Sequence, residues 1–234
     1  MKVFLKSAAA AALVFCGVSA NAADINVRVV NLTNGNWLTP LLVAAHPDGS
    51  SLFTTGQPAS ANLQAMAEGG DIGGLMTDLT GIGATIAADP AGGLLGPAAS
   101  TNVDVNTDGT SNVLLSVVAM LLPTNDAFAG LNAITIPVDP GTYVFDVPAY
   151  DAGTEANDEI INGGGAPGAA GIPADPGALN GTGATGAAGA DANPNVHIHR
   201  NVLGDTDPNG GTSDLDSTVH RWLNPVVRVV VTVR

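Results

Sequence analysis

The residues best placed to do chemistry are acids gathered on two short stretches in the middle of the chain. One is Pro123-Thr124-Asn125-Asp126-Ala127-Phe128-Ala129-Gly130. The other is Ala149-Tyr150-Asp151-Ala152-Gly153-Thr154-Glu155-Ala156-Asn157-Asp158-Glu159. Each reads as a loop that follows a strand, and those two strands read as neighbours. If both loops lie at one end of the fold, Asp126, Asp151 and Glu155 converge. Three carboxylates in one place repel one another unless a cation stands between them. Calcium is the natural candidate, because it takes about six to eight oxygen ligands at variable geometry and accepts loop carbonyls. The competing reading is a set of solvated acids that cap turns.

A further acidic run, 205–216, has the spacing of a calcium-binding loop. Asp205, Asp207 and Asn209 stand first, third and fifth, Gly210 sixth and Asp216 twelfth. Pro208 inside the run and the strand-like flanks weigh the other way, since runs of Gly, Asp and Asn are also ordinary turns. Asp104-Val105-Asn106-Thr107-Asp108-Gly109 begins similarly but ends on Leu115, and it reads as a hairpin turn. His197 and His199 are two apart, so a strand would put both on one face. Such a pair could take zinc or copper. No third nitrogen or sulfur ligand lies nearby in the sequence. The alternative is a hydrogen-bonded structural pair, with Val196 and Ile198 turned to the core.

Catalytic patterns are thin, and a non-catalytic protein is expected. No glycine-rich stretch carries the Lys-Ser/Thr of a phosphate loop, and there is no Gly-x-Ser-x-Gly elbow. A carboxylate pair could hydrolyse a glycoside. That chemistry wants an aromatic-lined cleft, and the sequence offers Trp37 and Trp222.

The elements that must hold these residues are mostly strands. Period-two alternation or short apolar runs mark Ile25–Val30, Leu41–Ala45, Thr101–Val105, Asn112–Leu122, Ile134–Val138, Gly141–Val147, Asn195–Val202 and Val226–Val233. Thr101–Val105 and Asn112–Leu122 read as joined across the turn at Asn106-Thr107-Asp108-Gly109. Val226–Val233 is apolar apart from Arg228 and Thr232, so it reads as a central strand buried on both sides. Two short stretches, Ala59–Glu68 and Asp71–Leu79, have helical character. About eight strands with Gly, Pro, Asn and Asp turns predict an all-β antiparallel sandwich. Residues 162–194 are Gly, Ala, Pro and Asp with almost no large apolar side chain. They read as a long, mobile surface insertion.

The amino-terminal residues 1–22 read as a secretory signal peptide. Lys2 and Lys6 precede the apolar run Ala8–Val18, and Ala20-Asn21-Ala22 supplies the small residues of a cleavage site. The run falls short of the roughly 20 apolar residues of a membrane span. Cleavage would remove Cys16 and both lysines, leaving a single domain, 23–234, without disulfides. Arg28, Arg200, Arg221, Arg228 and Arg234 then face 21 acidic residues. Such a balance repels nucleic acid and attracts cations. A secreted location, periplasmic or extracellular, follows from this reading, with no transmembrane segment in the mature chain.

The order of several motifs resembles the spondin amino-terminal domain, closest to its bacterial, cysteine-free members. The segments are Asn31-Leu32-Thr33, Gly56-Gln57-Pro58-Ala59-Ser60, Pro123 to Gly130, Tyr150-Asp151-Ala152-Gly153-Thr154-Glu155, and Asp214-Leu215-Asp216 through Trp222-Leu223-Asn224-Pro225-Val226. The resemblance implies a sandwich similar to calcium-dependent membrane-targeting domains, with one calcium in loops at one end. The carboxylates it implies are Asp126, Asp151 and Glu155. Glu155 stands where animal members have Asp, and Ala127 where they have Trp. The function expected is a calcium-binding recognition or adhesion module whose partner is a surface glycan or protein. A self-assembling subunit of a surface or matrix polymer is the alternative, since apolar strand edges can pair between chains. A secreted hydrolase is the third reading.

Overall fold

Period-two alternation in the sequence becomes two antiparallel sheets packed face to face. The computed structural model describes residues 24–177, 181–187 and 193–234, so the expected leader lies outside the described residues, as do parts of the 162–194 stretch. In chain order the elements are β1 (Asp24–Asn31), β2 (Trp37–Leu38), β3 (Leu42–Pro47), α1 (Ala61–Gly69), α2 (Gly73–Gly81), β4 (Thr85–Ala88), β5 (Ser100–Asn106), β6 (Asn112–Leu122), β7 (Ala127–Thr135), β8 (Gly141–Val147), β9 (Ala149–Asp151), β10 (His197–Ile198) and β11 (Val227–Val233). One sheet runs β5-β1-β11-β8; the other runs β10-β9-β7-β6-β3-β4, with β2 added on β6. The protein is an all-β sandwich.

Two apolar layers hold it together. Val27, Val29, Val229 and Val231 meet Val43 and Leu121 between the sheets. On the far side of the larger sheet, Leu42, Met120 and Phe128 pack under Leu63 and Met66 of α1. The Ser60 side chain accepts the Leu63 N–H at 3.1 Å and starts α1, and Gly70, left-handed at φ 72°, ends it.

The helices cover only the larger sheet, and that decides which strands are buried twice. β3 and β6 are, not β11 as the sequence suggests. β11 alternates, with Val227, Val229, Val231 and Val233 buried and Arg228 exposed. Its outer face meets water, where Arg228 pairs with Asp146 at 2.8 Å and Arg234 with Asp104 at 2.8 Å.

Three more expectations change. The turn at Asn106–Gly109 does not close a hairpin. β5 pairs with β1 and β6 with β3 and β7, so the turn carries the chain from one sheet to the other. Its local chemistry is as expected, since Asn106 Oδ1 accepts the Asp108 N–H at 2.7 Å, but turn chemistry does not name a strand's partner. Strand β7 begins at Ala127, inside the run read as a loop. Its small residues let neighbours close in: a Cβ on Gly130 would lie 2.8 Å from the Phe53 ring. The strand expected over Asn195–Val202 shortens to His197–Ile198.

The described part of the Gly/Ala-rich stretch is tied to the sandwich. Ile172 is fully buried and forms a parallel bridge with Ile161. The buried Glu68 carboxylate accepts the Gly168 N–H at 2.6 Å. Asp214 accepts the N–H groups of Ile161 (2.7 Å), Thr182 (2.7 Å) and Ala184 (3.1 Å). A Cβ on Gly69 would fall 2.1 Å from the Gly165 carbonyl oxygen, so the two backbones meet where no side chain fits. Among the described residues no helix is long and apolar enough to cross a membrane.

Candidate metal centre

The end of the larger sheet brings the two acidic stretches together. β7 and β9 pair with Ala127 opposite Asp151 and Phe128 opposite Tyr150. β10 adds the next row, with His197 opposite Asp151. Phe128 and Tyr150 stack at 5.6 Å, and Phe53 meets both edge-on, fixing the strands that carry the acids.

Asp126 lies at the middle of the acidic group and is fully buried. Its Oδ2 accepts the N–H groups of Thr154 (2.8 Å) and Glu155 (3.1 Å) and the Thr154 hydroxyl (3.2 Å). Its Oδ1 is buried without a hydrogen-bond partner. Burial, then the charge of Asp151, push its carboxyl up to about 7, against an ordinary 3.8.

Glu155 repeats the pattern half-buried. Oε2 accepts the Gly171 N–H (3.1 Å) and the Asn125 amide (3.3 Å), while Oε1 is buried and unpartnered. Burial also pushes it up to about 7, with the charges of Glu68 and Asp126 acting the same way. Asp151 is fully buried but satisfied on both oxygens, by the Gly153 N–H (2.8 Å) and the Asn157 amide (2.8 Å). Gly153 has φ +72°, and a Cβ there would lie 2.7 Å from the backbone of Pro194. The turn after Asp151 therefore requires glycine twice over. Among the described residues no group of three or more His, Cys, Asp or Glu side chains is arranged to hold a metal ion by itself.

The same stretch contains polar residues that the sequence reading passed over. Asn125 donates to Asp158 (2.8 Å) and accepts the Glu159 N–H (3.2 Å), locking the two loops together. Glu159, 1% exposed, accepts from the N–H groups of Leu203 (2.6 Å) and Gly204 (2.9 Å) and from the Ser213 hydroxyl (2.6 Å). Their only signal in the sequence was a place in an acidic run, which does not separate a buried acid from a solvated one.

The second acidic loop is built differently. Asp205 accepts the N–H groups of Asp207 (2.9 Å), Thr212 (2.8 Å) and Ser213 (3.0 Å). Asp207 accepts that of Asn209 (2.9 Å), and Asp216 that of Thr218 (2.7 Å). The N–H bonds to Asp205, and the Thr218 hydroxyl (2.7 Å) followed by its N–H on Asp216, hold the two acids below the usual carboxylate range. The loop is a nest of turns whose acids are satisfied by its own backbone.

The two histidines do fall on one side, each with Nε2 3.8 Å from Asp151 Oδ2. Val196 is buried, but Ile198 is 48% exposed rather than turned to the core, because β10 is the sheet edge. His199 packs against Trp222 at 5.3 Å. Its Nδ1 accepts the Asn201 N–H (2.9 Å) and its Nε2 faces Asn157 Oδ1 (3.0 Å), so both ring nitrogens are engaged within the fold.

Comparison with known proteins adds one match. A family model described as Spondin_N matches residues 31–159, more than half of the chain. The matched span includes Asp126, Asp151 and Glu155 and stops before the Gly/Ala-rich stretch. No curated protein matches the chain.

Proposed function

This chain belongs to the Spondin_N family, and on that premise we propose that it is an exported recognition or adhesion module whose acidic end binds calcium. The observation that carries the calcium reading is the pair of buried, unpartnered oxygens, Asp126 Oδ1 and Glu155 Oε1. A buried carboxylate oxygen without a donor is costly. A cation between them would remove that cost and the repulsion from Asp151 together. Two or three carboxylates do not complete a calcium shell, so backbone carbonyls, side-chain amides and water would supply the remaining oxygens, which calcium accepts readily. In this reading the ion is structural: it fixes the loops after β6 and β9 and so shapes the end of the sandwich that meets a surface glycan or protein. The rest of the acidic surface favours a partner that tolerates negative charge.

Thermal unfolding of the full chain with calcium and with chelator tests this. Calcium at about a hundred times its dissociation constant should add about 2.7 kcal/mol of stability, and Asp126→Asn should abolish the added stability. Identical melting in calcium and in chelator would sink the calcium reading.

A further inference from the structure

We propose a second, nitrogen–oxygen cation site for a divalent transition ion such as zinc, with His197 Nε2 and Asp151 Oδ2 as its protein ligands. His197 Nδ1 stands 2.8 Å from the Asn195 carbonyl oxygen, which can only accept. That nitrogen therefore carries a proton, and in the neutral ring Nε2 presents a lone pair. It faces Asp151 Oδ2 at 3.8 Å. With the ring neutral, two lone-pair atoms at that distance repel unless a positive centre lies between them, either a second ring proton or a metal ion.

The geometry suits a metal. Two bonds of about 2.1 Å span at most about 4.2 Å, and about 3.4 Å at the tetrahedral angle. The observed 3.8 Å lies inside that range. A ring N–H given to a backbone carbonyl is also how metal-bound histidines are oriented. Asp151 is held rigid by the Gly153 N–H and the Asn157 amide, and the β9–β10 register sets His197 directly opposite it. The His197 side chain is 26% exposed, which gives an ion a route from solvent. Mixed imidazole and carboxylate donors favour zinc or copper over calcium.

His199 is excluded as the second nitrogen ligand by the same bookkeeping. Its Nδ1 is taken by the Asn201 N–H, so Nε2 carries the proton and gives it to Asn157 Oδ1. Asn157 passes the orientation on by donating to Asp151 Oδ2. His199 is thus a positioning residue, and the metal alternative for the histidine pair becomes a His197/Asp151 chelate. With two protein donors the other positions belong to water, so the site is open.

Calorimetric titration of the chelator-treated full chain with zinc, at slightly alkaline pH, tests the inference. One zinc per chain is expected, with His197→Ala weakening it at least about tenfold and His199→Gln retaining most of the affinity. Zinc should move the imidazole resonances of His197 and leave those of His46 in place. His197→Ala should keep its melting response to calcium, which separates this site from the calcium reading and shows that the variant folds. Equal zinc affinity in the wild type and His197→Ala, or no zinc binding by either, would overturn the proposal.

Discussion

The acids at 125–159 and those at 205–216 are alike in type, yet the fold treats them oppositely. Asp126 is buried, has one oxygen with three donors and one with none, and is pushed up to about 7. Asp205 accepts backbone N–H groups on both oxygens and is held below its ordinary range. The difference lies in the supply of donors and of water. A loop that curls on itself turns its N–H groups inward and feeds its own carboxylates. Two loops pressed together by paired strands shut out water and share too few N–H groups among too many oxygens. The first arrangement partners its carboxylate oxygens from within, whereas the second leaves Asp126 Oδ1 and Glu155 Oε1 buried without a donor. Asp214 marks the boundary: burial would raise it, but the N–H groups of Ile161, Thr182 and Ala184 outweigh burial and leave it lowered.

Substitutions can break this contrast at graded cost. Gly153→Ala should do most damage, because it forces a left-handed backbone on alanine and drives its methyl into Pro194. A loss of about 3 kcal/mol is expected in denaturant unfolding, along with weaker binding of both calcium and zinc, since the turn carries Asp151 and abuts the segment leading to His197. Next comes pH. Groups raised from ordinary values of 3.8 and 4.5 to about 7 bind protons more tightly folded than unfolded. Stability in chelator should therefore fall as pH rises from about 4 to 7, and calcium should cancel much of that fall. Asp126→Asn should flatten the apo slope, raising the melting temperature in chelator near neutral pH while removing the calcium response. A wild-type slope of the opposite sign would show that the buried acids are already satisfied. The smallest effect belongs to Asp205→Asn, which should lower the melting temperature slightly and leave the calcium response unchanged.

Much of the fold was legible because its main strands either alternate or run apolar without a break. β1, β5, β6, β8 and β11 begin and end within a residue or two of where their patterns place them, and both helices follow suit. Pairing was not legible. The turn before β6 has the residues of a hairpin but bridges two sheets, and nothing local in Asn106-Thr107-Asp108-Gly109 distinguishes the cases. β7 hid because Ala127, Ala129 and Gly130 look like loop residues, although their smallness is what lets Phe53 close over them. Burial of β11 was overestimated because the sequence shows how apolar a strand is, not whether a helix layer covers it. At the acidic end, Asp126, Asp151 and Glu155 were nameable from type and order. The partnerships of Asn125, Asn157 and Glu159 were not, since they depend on which loop lands on which.

The position of β1 has a consequence for how the molecule comes together. Its seven register pairs with β11 join Ile25 to Val233 and Asn31 to Val227, across almost the whole length of the described chain. Its other neighbour, β5, lies far closer in sequence. The larger sheet, built on β3, β6 and β7, has much shorter loops to close and can assemble while the smaller one is unfinished. β1 can complete its pairing only once β11 is available, and the first and last strands of the described residues lie side by side.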